Sequence, residues 1–188
     1  MTCSDENTHI MLDLETLSTA PDAAIVSIGA QAFYPVAGGL GAAFYACIQP
    51  EGWKGHIDPK TVAWWLQQSD RARCDVVSGT MQTLEHALFD FSAWVLRTSY
   101  NGNSQNPVFI WANSPAFDCV ILRSAYHRVG FKEPWAFRNE RCYRTVRAMN
   151  PRVQGPPDTG CAHNALDDAK WQAAHLLRLM GHEDSHAG

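Results

Sequence analysis

The chain has 188 residues, 46% of them apolar and 18% charged, which suits a globular domain with a real core and excludes a disordered chain. No apolar run approaches the roughly 20 residues that cross a bilayer, and MTCSDENTH lacks the basic start and apolar stretch of a signal peptide, so a cytoplasmic protein is expected. The net charge of −4 disfavours a protein that coats long nucleic acid, because counterion release drives such binding, but not an enzyme that grips a chain end through cations.

Ile10 to Glu15 reads as a strand, with Ile10, Leu12 and Leu14 on one side and Met11, Asp13 and Glu15 on the other. Ala24 to Tyr34 and Ala42 to Ile48 read as second and third strands, joined through a turn at Pro35 and Gly38-Gly39. Asp58 is placed to cap a helix whose first residue is Pro59, with Val62, Trp65 and Leu66 as its core stripe. A longer helix follows Thr80 and carries Leu84, Leu88, Phe91 and Val95 on one face. Val108 to Ala112 is a short apolar strand. Ser114-Pro115 reads as the cap of the next helix, which Gly130 ends. A short helix around Tyr143 to Met149 precedes the loop PRVQGPPDTG, and a last helix covers about Leu166 to Met180. The tail GHEDSHAG reads as frayed. There are no repeats, so one domain over 1–188 with a core of about 8–180 is expected. Strands followed by alternating helices and strands predict an α/β fold, a mixed sheet flanked by helices.

Six cysteines (Cys3, Cys47, Cys74, Cys119, Cys142, Cys161) are scattered without a CxxC pair, which argues against zinc and a disulfide framework. Between Arg123 and Arg152 eight basic residues (Arg123, Arg128, Lys132, Arg138, Arg141, Arg144, Arg147, Arg152) face only Glu133 and Glu140. That run is either a solvated face or a rim that guides phosphates.

Three short segments carry the chemistry: Asp13 and Glu15 in IMLDLET, Asp118 in SPAFDCVIL, and His163 with Asp168 in HNALDDA. Residues two apart on a strand point the same way, so Asp13 and Glu15 repel each other at a strand end. A structural role seldom demands that repulsion, and a bound cation offsets it. Oxygen donors favour Mg²⁺ or Mn²⁺ over zinc. Two such ions can activate water and stabilise the leaving oxygen of an in-line displacement. Histidine suits the base, because it takes protons near neutral pH. Each piece alone has a plain explanation. Asp-x-Glu occurs on solvent-facing edge strands, and Asp118, Asp167 and Asp168 suit the first turns of helices. His163 would also serve as a loop residue bonded to backbone. Their joint occurrence makes separate explanations improbable.

MLDLETLSTAPDAAIVSIGA, IDPKTVAWWLQQS, IWANSPAFDCVILRSAYHRVG and HNALDDAKWQA together resemble the DEDDh branch of the DnaQ-like 3′-5′ exonucleases. Within that branch the chain is similar to the small bacterial and phage enzymes that include RNase AS and the short exonuclease VIII-like proteins. The resemblance spans about Ile10 to Ala174. It implies an RNase H-like fold, a five-stranded mixed sheet with helices on both faces. It implies a metal-dependent exonuclease that releases nucleoside 5′-monophosphates from single-stranded 3′ ends, and a homodimer. It also implies roles: Asp13 bridging two divalent ions, Glu15 and Asp168 on the ion that holds the attacking water, Asp118 on the second, and His163 as general base. The spacing in the family selects Asp168 over its neighbour Asp167, which geometry from sequence does not separate. Thr16 and Leu17 follow the Asp-x-Glu pair where the family meets the terminal nucleotide, and a buried loop leucine is the equal alternative for Leu17.

Trp64 and Trp65 cannot share a helix face. Trp65 fits the core stripe, and Trp64 is either a second core contact or a wall of the nucleotide pocket. Asn113 either caps locally or bonds a nucleotide. Two other classes compete with the nuclease. One is a catalytically inactive nucleotide-binding module of the same fold, which the complete acid set opposes. The other is an iron(II) oxygenase built on His56-Ile57-Asp58, which needs a β-rich barrel that the helical segments oppose. DNA and RNA are not distinguished, because no motif reports on the 2′-hydroxyl.

Overall fold

The strand expected over Ile10 to Glu15 forms as β1 (Thr8–Thr16) in a computed structural model of the chain, which describes residues 7–77, 81–99, 107–157 and 160–182. Its alternation feeds two layers, because Ile10, Leu12 and Leu14 enter one apolar cluster and Met11 enters another. β2 (Ile25–Tyr34) is buried along nearly its whole length and lies between β1 and β3 (Gly39–Ile48). Gly38 makes the β2–β3 turn possible with φ 75°, a conformation that disfavours a Cβ.

α1 (Pro59–Trp65) starts as expected, with the Asp58 carboxylate accepting from the Lys60 N–H. α2 (Asp70–Val77), β4 (Met81–Gln82) and α3 (Leu84–Ser99) follow. Thr80, expected to precede the longer helix, lies outside the described residues. β5 (Val108–Ala112) leads to α4 (Asp118–Arg128), then β6 (Glu140–Cys142), α5 (Tyr143–Met149) and α6 (Ala165–Leu179). The sheet order is β4-β3-β2-β1-β5-β6. The β1–β2 and β2–β3 pairs are antiparallel, whereas β1–β5, β5–β6 and β3–β4 are parallel. Leu88, Phe91 and Val95 of α3 and Ile121, Leu122 and Ala125 of α4 cover one face. Tyr143 of α5 and Ala169, Ala173 and Leu176 of α6 cover the other. A mixed sheet with helices on both faces is therefore present.

Four expectations are corrected. Among the described residues the sheet has six strands and not five, because β4 and β6 are edge pieces of two and three residues, too short to show alternation. α2 is an additional helix. Leu66 is 68% exposed because α1 ends at Trp65 and the chain turns away at the cap. Ser114 does not cap α4 through its side chain. Residues 115–117 form a turn, and the Ser114 carbonyl accepts from the Phe117 and Asp118 N–H groups. Gly130, with φ 75°, does follow the end of α4. Most of the tail, residues 183–188, lies outside the described residues, as does Cys3; His182 hydrogen-bonds the Pro35 carbonyl. Among the described residues no two cysteines form a disulfide, and no helix is long and apolar enough to cross a membrane.

Candidate active site

β1 and β5 run parallel with Leu12 beside Ala112, so Asp13 and the turn leading to Asp118 emerge at neighbouring carboxyl ends. Open α/β sheets bind ligands at such ends. α6 supplies the third segment. Asn164 caps it, its side chain accepting from the Leu166 and Asp167 N–H groups at 3.1 Å each. Gly29, paired with Asp13 across the sheet, sets how closely α6 lies. A Cβ there would sit 2.1 Å from the Ala165 carbonyl carbon and 2.3 Å from the Leu166 nitrogen. Only glycine lets the first turn of α6 rest on the strand beside Asp13.

This approach brings the acids together. One ligand atom each of Glu15, His163 and Asp168 lies within 4.8 Å of the others. Asp13 is half-buried and lines the cleft, and its Oδ1 accepts from Gln172 Nε2 at 3.1 Å. Burial, then the charges of Asp118, Glu15 and Asp168, hold the Asp13 carboxyl well above the usual carboxylate range, with Gln172 opposing. Burial, then Asp168 and Asp118, pushes Glu15 up to about 8. Burial pushes Asp118 up to about 7 against its own N–H, those of Leu14 and Ser114, and the Arg144 charge. The common cause is desolvation of several anions in one place, which a cation would relieve. The residues fit such an ion: the acids supply hard oxygen donors, and the buried Gln172 Oε1 has no hydrogen-bond partner among the described residues.

The remaining candidates take distinct places. His163 lies on the loop before α6 with φ 65°, an uncommon backbone for a residue with a Cβ. Its ring is edge-on to Trp64 at 4.9 Å and to Trp65 at 6.0 Å. Trp65 is buried, and its Nε1 donates to the Thr16 carbonyl at 2.9 Å. Trp64 is 41% exposed and is not a core contact. It lines a cavity of about 500 Å³ with Glu15, Thr16, Thr61, Trp65 and Phe117. Leu17 is buried among Ala24, Val26, Trp65 and Ala72 and does not line that cavity. Asn113 lines a second cavity of about 250 Å³ with Asp13, Ser114, Phe117, Asp118 and Arg144. Asp167 turns from the acids, its Oδ2 accepting from the Cys161 N–H at 2.9 Å. His56 Nδ1 meets Ser18 Oγ at 2.7 Å and Asp58 caps α1, so that pair has structural work and does not form a metal triad.

Sequence reasoning missed Gly29, Asn164, Gln172 and Arg144 as site-building residues. Three had signals: a glycine inside a strand, an Asn before an apolar-periodic run, and a polar residue one turn after Asp168. Arg144 stood out only as one member of a basic run.

The family model described as the 3′-5′ exoribonuclease Rv2179c-like domain matches residues 8–180. No curated protein matches the sequence. Among solved structures, the nuclease domain of 3′hExo, a DEDDh family member bound to rAMP, is similar with a TM-score of 0.64 and 12% identity, covering 95% of this chain and 94% of that one. Exonuclease I of E. coli in complex with a dT13 oligonucleotide gives 0.65 and 15% over 94% of this chain. The cell-death related nuclease CRN-4 gives 0.57 and 16% over 93%. The chain spans 42% of that exonuclease I chain and 64% of the CRN-4 chain. At these identities the likeness is one of fold: the mixed sheet and its helices have the RNase H-like arrangement of DEDDh exonucleases.

Proposed function

The chain belongs to the family of Rv2179c-like 3′-5′ exoribonuclease domains, and we propose from this that it is a metal-dependent exonuclease acting on the 3′ end of single-stranded RNA. The products are nucleoside 5′-monophosphates. The observation that carries the reading is the convergence of Asp13, Glu15, Asp118 and Asp168 in one cleft beside His163, where the neighbouring charges raise the proton affinity of Asp13 and Glu15. The exoribonuclease description of the family supports RNA as substrate.

Asp13, Glu15, Asp118 and Asp168 would hold two divalent ions, Mg²⁺ or Mn²⁺. When bound, the ions supply Lewis-acid activation of water and stabilisation of the leaving 3′ oxygen. The protein's own residues do the rest. Gln172 fixes the Asp13 carboxylate by donating to Oδ1. His163, beside Glu15 and Asp168, accepts the proton of the attacking water on a ring nitrogen and passes it to solvent. The terminal nucleotide occupies the cavity of Thr16 and Trp64, with Trp64 against the base and Leu17 supporting the wall from beneath. Stacking of this kind is worth roughly 1–3 kcal/mol. Asn113 lies on the Asp118 side, towards the upstream nucleotide that keeps the leaving 3′ oxygen.

The test is digestion of matched RNA and DNA oligonucleotides labelled at the 5′ end, with Mn²⁺ or with chelator. A ladder shortening from the 3′ end, dependent on metal and faster on RNA, supports the reading. Nucleotide binding without any shortening would favour the inactive module instead.

A further inference from the structure

Of the eight basic residues between Arg123 and Arg152, Lys132, Arg138 and Arg152 are exposed, and the other five take distinct places. Arg123 pairs with Glu140 at 3.0 Å. Arg128 donates to the Asp22 and Lys54 carbonyls and fastens loops. Arg141 lies over the Phe109 ring at 4.6 Å and donates to the Arg138 and Glu140 carbonyls. Those three have structural partners. Arg144 and Arg147 are exposed on α5 and form no ion pair among the described residues; the Arg144 charge bears on Asp118, and Arg147 hydrogen-bonds the Tyr143 hydroxyl.

Both arginines line a third cavity of about 470 Å³, with Asn150, Gln154, Trp171 and His175 among its walls. Arg144 also lines the cavity of Asp13, Asn113 and Asp118, so the two spaces share a wall. A backbone hydrogen bond from the Arg144 N–H to the Asn113 carbonyl ties the start of α5 to the end of β5 and fixes this junction. No carboxylate lines the third cavity among the described residues. Its far wall is strapped down: Trp171 Nε1 donates to the Pro156 carbonyl, His175 meets both Tyr143 and Val153, and Arg178 donates to the Gly155 carbonyl. Gly155 packs so closely on the Trp171 ring that a Cβ there would lie 2.2 Å from it. Trp171 and His175 are thus held by their edges, and Arg144, Arg147, Asn150 and Gln154 give the cavity positive charge and polar groups beside the apolar Ala148, Pro151 and Val153.

We propose that the Arg144–Arg147 cleft is a second nucleic-acid subsite, holding the phosphates upstream of the scissile bond as the strand leaves the acid cluster past Arg144. The proposal rests on the exonuclease reading of that cluster. A cleft that holds two arginines and no carboxylate among the described residues grips backbone phosphates, so its contribution is independent of sequence and sensitive to salt. It also requires length: a dinucleotide ends before reaching Arg147, whereas a hexanucleotide passes it.

The test compares cleavage of 5′-labelled RNA of two and six nucleotides by the wild type, Arg147→Ala, Gln154→Glu and Arg97→Ala. Gln154→Glu places a near-isosteric anion on the same wall, which separates the effect from misfolding. Arg97→Ala removes an equal charge from an exposed position on α3. The wild type should prefer the hexanucleotide in kcat/KM. Arg147→Ala and Gln154→Glu should each reduce that preference by about 5-fold or more, chiefly through KM. Arg147→Ala should also flatten the dependence of hexanucleotide binding on salt by about 0.7 in log–log slope, the value for one phosphate contact on a single strand. Arg97→Ala should keep both preference and slope. No length preference in the wild type, or equal losses on both lengths in the two cleft variants, overturns the subsite. Failure of the wild type to cut either length, with metal present, refutes the exonuclease reading instead.

Discussion

Replacing Glu15 by Gln should stabilise the metal-free protein, although it removes a site carboxylate. Glu15 is 8% exposed, and burial with the Asp168 and Asp118 charges moves its carboxyl from an ordinary 4.5 to about 8. A carboxyl whose folded pKa lies above its unfolded one binds more protons in the folded state. Stability is therefore unaffected below about pH 4.5 and falls as pH rises towards 8. The cost is about 3 kcal/mol at pH 7 and about 5 kcal/mol above pH 9, both upper bounds because the acids share the repulsion. Glutamine keeps the shape and loses the titration. Urea unfolding in chelator should show the wild type losing stability from pH 5 to pH 8. Glu15→Gln should gain about 1–3 kcal/mol over the wild type at pH 8 and little at pH 5. Added Mn²⁺ should reverse the ranking, because the wild type gains binding free energy that the variant loses. A wild type that becomes more stable between pH 5 and pH 8 without metal, or a variant equally destabilised at both, would refute the reasoning.

Asp13→Ala and Asp168→Ala should abolish cleavage while the circular dichroism spectrum and cooperative unfolding persist; full turnover by both contradicts their roles. His163→Ala should lower kcat far more than it raises KM, and an effect on KM alone removes it as the base. Gly29→Ala should destabilise the protein by at least about 2 kcal/mol in urea and depress activity, because the new methyl meets the backbone of α6; a variant as stable and active as the wild type contradicts the close approach. Asn164→Ala should cost about 1 kcal/mol through loss of the α6 cap, read from the unfolding midpoint, with no change counting against that cap.

The strands that build the floor of the site were readable because they are long and two-sided. The alternation of β1 placed Asp13 and Glu15 together and opposed them to Ile10, Leu12 and Leu14. The start of α1 was readable because Asp58-Pro59 is a local signal that needs no distant partner. β4 and β6 left no trace because two or three residues cannot show a period, and pairing along a neighbouring edge defines them. Leu66 was misplaced because a helical stripe says nothing of where the helix stops. Local pattern does not separate Asp167 from Asp168, although the family spacing does, because the bond from the Cys161 N–H that holds Asp167 comes from the loop before α6. Trp64 was ambiguous for the same reason: its exposure depends on His163 and Phe117 arriving from far along the chain.

A crystal grown with Mn²⁺ and examined by anomalous diffraction tests the central claim most directly. Two peaks about 3.5–4 Å apart, bounded by oxygens of Asp13, Glu15, Asp118 and Asp168 with His163 alongside, are the predicted result. Manganese bound elsewhere, with these acids carrying none at saturating concentration, would contradict the account.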